Sequence, residues 1–128
     1  MHRPPSTRTA SPFVLPRAPG ETDLVAKYLR GLGDPTRVRI VELLAAHGEL
    51  PVGELVARLG QPQPKVSNHL ACLRWCGFVA TRREHPSVLY RVNDERVLEL
   101  LGLARSLLAD NAEHVAQCSR TDERPADG

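Results

Sequence analysis

Residues 61–77 read QPQPKVSNHLACLRWCG, and the reading of this stretch decides the fold. Wound as a helix at about 100° per residue, it puts Val66, Leu70, Leu73 and Gly77 in one narrow sector, a core-facing stripe. Gln63, Ser67, Ala71 and Arg74 fall on one flank of that stripe. Lys65, His69, Cys72 and Cys76 fall on the other, and the two cysteines, four apart, stack on one face. Pro62 and Pro64 lie in the first turn, where a missing N–H costs nothing. Gly77 ends the helix. The spacing therefore predicts one helix with two working flanks.

Working outward, a short helix over about Val52–Leu59 precedes this one, and Gly60-Gln61 makes the turn between them. A short helix, a Gly turn and a helix with a polar start form the helix-turn-helix pattern. Upstream, Asp34-Pro35-Thr36 is a helix start, an Asp N-cap followed by Pro at the first helical position. It opens a helix carrying Val38, Ile40, Val41, Leu43 and Leu44 to His47-Gly48. Before that, Leu24, Val25, Tyr28, Leu29 and Leu32 stripe a helix over about Thr22–Leu32. Downstream of Gly77 the period alternates: residues 78–83 and 88–92 read as two strands around Glu84-His85-Pro86-Ser87. So small a hairpin cannot stand alone and must pack on the helices as a wing. Asn93-Asp94 begins a last helix to about Ala109, apolar nearly all round. Its surplus apolar surface implies burial against the matching helices of a second copy. Asp110-Asn111 interrupts it before a last turn or two carrying His114 and Cys118. The expected class is mainly α with a small β-hairpin wing, a dimeric winged helix-turn-helix.

Three segments follow: a Pro-rich, disordered N-terminal extension (1–20), a DNA-binding and dimerisation domain (21–111) and a cysteine-bearing C-terminal tail (112–128). The hydrophobic share of 41% with nine Gly suits an ordinary globular domain. Formal charge is +2 overall but uneven: net +2 over 1–53, +4 over 54–93 and −4 over 94–128. The basic middle holds the helix read over residues 61–77, as a phosphate-facing element should. Gln63 can read adenine through a bidentate pair, and Lys65, Ser67, Asn68, Arg82 and Arg83 are candidates for phosphate or base contact. Arg82 and Arg83 also suit a plainer role, as edge-strand charges that discourage aggregation. The partner implied is double-stranded operator DNA.

The first twenty residues hold no apolar run, three Arg and five Pro, so no signal peptide is read. With an odd number of cysteines, this points to a reducing cytoplasm and reduced thiols, and no apolar run is long enough for a membrane span. No nucleophile–base pair, phosphate-binding Gly loop or His-rich centre is present, which argues against an enzyme.

With GLGDPTRVRIVELL at 31–44 and VSNHLACLRWCGFV at 66–79, the chain resembles the ArsR/SmtB family of dimeric winged-helix repressors over about residues 22–110. The resemblance implies a homodimer that sits on an operator and leaves when an inducer binds. The thiolate motif of arsenic and cadmium sensors is absent, because Pro51 and Gly53 stand where its cysteines would be. The zinc or nickel site of the last helix is absent too: Asp94 is present, but Arg96 and Leu107 occupy the histidine places. What remains resembles the CmtR-like cadmium/lead-sensor branch, with Cys72 and Cys76 on the reading helix and a third cysteine, Cys118, in the tail. That resemblance implies a three-thiolate site, with Cys118 supplied by the same chain or by its partner. Such a donor set suits a soft ion: Cd(II) or Pb(II) is favoured, and Hg(II) or As(III) also fits. The plainer reading makes Cys72 and Cys76 small buried hydrophobes. A thiol-redox repressor using the same cysteines without metal is the alternative function. His69 suits packing or hydrogen bonding better than ligation, and Trp75 a tail or dimer contact better than DNA.

Overall fold

The computed structural model describes residues 20–118. In chain order it has α1 (Glu21–Leu32), α2 (Pro35–His47), β1 (Leu50–Pro51), α3 (Val52–Leu59), α4 (Gln63–Trp75), β2 (Val79–Glu84), β3 (Ser87–Val92) and α5 (Glu95–Gln117). This is the expected winged helix-turn-helix. The N-terminal extension and its arginines, and residues 119–128 of the tail, lie outside the described residues.

Local chemistry sets the boundaries. Asp34 caps α2, its carboxylate accepting from the Thr36 and Arg37 N–H groups at 2.9 and 3.2 Å, with Pro35 pre-set for the first turn. Gly60 takes a left-handed conformation (φ 67°) to end α3. The α4 terminus is a Schellman motif: the Phe78 N–H reaches Leu73 O at 2.8 Å, and the Gly77 N–H reaches Arg74 O at 3.0 Å. Gly77 sits at φ 85°, where a side chain would clash with its own backbone. Phe78, which sequence reasoning put at the start of a strand, is instead the fully buried plug beneath that terminus.

The core forms where α2, α3 and α4 meet. Ile40, Val41 and Leu44 come from α2, Leu55 from α3, and Val66, Leu70 and Leu73 from α4, and all are essentially inaccessible. The expected α4 stripe is thus the core face. The end helices give it far less: only Gly31 and Leu32 of α1, and Val97 and Leu101 of α5, are buried.

The wing differs in two ways from its expected form. It has three antiparallel strands in the order β1-β3-β2, because Leu50 pairs with Tyr90 and Pro51 with Leu89. Its hairpin is also tighter, Glu84 pairing with Ser87 across a two-residue turn. Asn93 ties the base of the wing to α4, its N–H reaching Phe78 O at 3.0 Å and its side-chain amide reaching Gly77 O at 3.1 Å.

In α5 the helix runs past the expected stop at Ala109 to Gln117. The expected interruption survives as a kink at Asn111 (φ −127°, ψ 15°). There the Asn111 side chain donates to Leu107 O at 2.9 Å, a local bond that competes with regular helix geometry. Among the described residues no helix is long and apolar enough to cross a membrane.

Candidate functional site: the reading helix and its thiol pair

α4 presents its two flanks as the spacing implies. Gln63, Lys65, Ser67 and Asn68 are all exposed along its N-terminal half. A hydrogen bond from Gln61 Nε2 to Thr36 Oγ1 at 3.0 Å fastens the turn before α4 to α2.

The two wing arginines are not alike. Arg82 is clasped by carboxylates: Nε and Nη2 donate to the two oxygens of Glu49 at 3.0 and 2.7 Å, and Nη1 donates to Glu84 at 2.6 Å. This fork lowers the Glu49 carboxyl below its ordinary range and raises Arg82 above its own. Arg83 is exposed and makes no side-chain hydrogen bond or ion pair among the described residues. A phosphate meeting Arg82 must displace or share Glu49, whereas one meeting Arg83 has no such competitor.

On the other flank, Cys72 and Cys76 are half-buried thiols at the C-terminal end of α4. Cys76 is the C-cap, and its N–H still reaches Cys72 O at 3.0 Å, so the helical stacking of the pair is kept. Burial, and then the neighbouring Cys72, push the Cys76 thiol above its ordinary value, while Arg37 and Lys27 oppose that rise. Cys76 also packs on the backbone of α1. A Cβ added at Gly31 would lie 3.0 Å from Cys76 Sγ and 3.5 Å from the Phe78 ring. Tyr28, one turn earlier, stacks on Phe78 with ring centroids 4.4 Å apart.

Cys118, the third expected donor, is half-buried as the C-cap of α5. Among the described residues of one chain, no group of three or more His, Cys, Asp or Glu is close enough to hold an ion. Among the described residues, one chain therefore brings together two of the three expected thiols, Cys72 and Cys76, and does not group Cys118 with them.

His69 takes the hydrogen-bonding role expected of it. Its Nδ1 accepts from Arg37 Nε at 3.0 Å and lies 3.8 Å from the Asp34 carboxylate. Burial pushes its pKa below the ordinary value, with Asp34 pulling up and Arg37 and Lys65 pushing down. Arg37 itself was missed by sequence reasoning, although it sits in the DPTR motif. Its Nη1 donates to Gly31 O at 3.1 Å, so this one side chain joins α1, α2 and α4. Gly31 was missed as well, and nothing local marks it. Trp75 is 90% exposed beside the thiol pair, in keeping with its expected place away from the core.

Comparison with known proteins agrees with this geometry. The model of the bacterial regulatory protein, arsR family, matches residues 34–81, the stretch from the α2 cap into the wing. The probable mercury resistance operon repressor of Streptomyces lividans is 43% identical over 98 residues, covering 77% of this chain and 78% of that protein. The chain belongs to the arsR family. A further relative, the HTH-type transcriptional regulator CmtR of Mycobacterium bovis, is 42% identical over 78 residues, covering 61% of this chain and 65% of that protein. Among solved structures, the homodimeric winged helix-turn-helix DNA-binding domain of a possible ArsR-family regulator from Mycobacterium bovis superposes with a TM-score of 0.64. It is 31% identical and covers 73% of this chain and 85% of that domain. The arsR-family chain described here is thus a regulator by descent, with a winged DNA-binding fold.

Proposed function

We propose that this chain is a metal-responsive repressor that holds operator DNA as a homodimer and releases it when Cys72, Cys76 and Cys118 take up a soft thiophilic ion. Cd(II) or Pb(II) is the favoured inducer, and Hg(II) and As(III) suit the same donors. The observation that carries this reading is the half-buried thiol pair on one flank of the helix whose other flank is exposed and polar. The longer match, to a protein named for mercury resistance, supports a thiophilic inducer. The third donor, Cys118, is supplied by the same chain or by its partner as the ion binds, since the described residues of one chain hold no ready-made set of three.

DNA contact follows from the exposed groups. Gln63, Ser67 and Asn68 face the major groove, and Lys65 and Arg83 meet phosphates, while Arg82 joins them only by loosening its bond to Glu49. Two copies place their α4 helices in successive major grooves about 34–36 Å apart. Apolar surface on α1 and α5 supplies the contact between copies. The bound ion supplies a bond between the reading helix and a C-terminal segment. Cys72 and Cys76 lose their protons to make it, so binding weakens as pH falls. Held in that way, α4 sits in a dimer geometry that fits the duplex poorly. Such coupling is typically about 1–3 kcal/mol, and operator DNA must weaken ion binding by the same factor.

The test is anaerobic titration of the reduced dimer, following sulfur-to-metal absorption, the fluorescence of the single tryptophan, Trp75, and operator release together. Absorption, quenching and release should rise in step with Cd(II) or Pb(II). Cys72→Ser should remove all three and still bind operator. If Cys72→Ser loses DNA binding outright, the cysteine is a packing residue. If oxidant alone releases the wild type and metals do not, the redox alternative holds instead.

A further inference from the structure

Arg37 is hydrogen-bonded to the α1 residue that Cys76 touches, Gly31, and Lys27 lies one turn before that residue on α1. Among the described residues neither cation has a carboxylate within the 4.0 Å of an ion pair. Arg37 spends its side-chain hydrogen bonds on neutral acceptors, Gly31 O at 3.1 Å and His69 Nδ1 at 3.0 Å. Neither cancels its charge. Gly31 is also the residue on which Cys76 packs, at 3.0 Å from Sγ to the position a Cβ would take. The half-buried guanidinium is therefore pinned to the same backbone segment that the sulfur touches. Lys27, one turn earlier on α1, acts on Cys76 in the same sense as Arg37. Asp34, an acid close to Arg37 in sequence, is engaged in capping α2 and lies 3.8 Å from His69.

We propose that Arg37, seconded by Lys27, determines specificity at the thiol site by charge, favouring divalent soft ions over As(III). The inference rests on the three-thiolate reading above. Three thiols with a divalent ion give M(SR)3⁻ and release three protons, so the product carries one negative charge. Three thiols with arsenous acid, As(OH)3, give As(SR)3 and three waters, and that product is neutral. A fixed cation in a partly buried setting stabilises the first product and is indifferent to the second. Arg37 also holds α1 to α4, so its removal loosens the site for every ion alike. Charge selection shows only in the ratio of affinities.

The experiment measures Pb(II) and As(III) affinity anaerobically by sulfur-to-metal absorption on the full-length reduced dimer. Wild type is compared with Arg37→Gln, Arg37→Lys and Lys27→Gln. Arg37→Gln should shift the Pb(II)/As(III) affinity ratio about tenfold toward As(III). Arg37→Lys, which keeps the charge and loses the fork, should restore most of the ratio. Lys27→Gln should shift it in the same direction by a smaller factor, and added salt should shrink both shifts. An equal fall in both affinities on Arg37→Gln, or an unchanged ratio in both charge-removing variants, overturns the proposal and leaves the thiolate site intact. If Arg37→Gln does not fold, Lys27→Gln and its salt dependence decide alone. Absence of thiolate absorption in the wild type with either ion would instead remove the site itself, and this inference with it.

Discussion

Among single residues, His69 shows how burial and charge set a measurable property. Desolvation outweighs Asp34 and keeps its imidazole neutral, with Nδ1 accepting from Arg37. Its folded pKa therefore lies below the ordinary value of 6.5. As pH falls through that ordinary value, the unfolded chain takes up a proton that the folded chain refuses. The stability His69 contributes is thus full above pH 6.5 and is lost as pH drops toward the depressed folded value. Thermal unfolding followed from about pH 7 to about pH 5 should show this loss in the wild type. In His69→Asn, whose amide oxygen can still accept from Arg37, the slope should be visibly shallower. Equal slopes would remove His69 from the account of acid sensitivity.

At the scale of elements, the end of α4 is the joint between reading helix and wing. Gly77 turns the chain with a positive φ, and Phe78 drops into the core under the last turn. Phe78→Ala should cost about 3–5 kcal/mol, the usual range for emptying a buried aromatic site. Gly77→Ala should cost about 1–2 kcal/mol, since it asks an L side chain to adopt a left-handed conformation. Urea denaturation of both variants checks the order. A larger loss from Gly77→Ala would mean that the turn, rather than the plug, holds the joint. The helices around this joint were legible in sequence because caps and apolar periods are local signals. The two residues of β1 were not: a pair ending in Pro carries no period, and its strand character exists only because β3 lies alongside. Phe78 was misplaced because an apolar residue after a helix-ending Gly looks the same whether it starts a strand or fills a core.

At the scale of the molecule, the two end helices are unfinished. Leu24, Val25 and Leu29 of α1 are about half exposed, as are Leu103, Leu107, Leu108 and Val115 of α5. A monomer of this size has little reason to leave so much aliphatic surface in water. The proposed homodimer buries it, and a stable pair needs about 1,200 Å² or more in total. Leu103→Glu combined with Leu107→Glu should give a folded monomer by sedimentation. Its operator affinity should fall by orders of magnitude, because one reading helix replaces two. A dimer that persists in this double variant would move the interface elsewhere.

The residues in order were enough to place the helix-turn-helix, the wing, the core stripe of α4 and the shared flank of Cys72 and Cys76. Each of these depends on groups within about two turns or one hairpin of each other. Tertiary structure alone decided that Arg82 is held by Glu49, that Arg37 reaches from α2 to both Gly31 and His69, and that Cys76 rests on a glycine of α1. Arg82 and Glu49 are 33 residues apart, Arg37 and His69 32. No periodic or capping signal spans such gaps. Only the packing of α1, α2 and α4 on one another brings those atoms within reach.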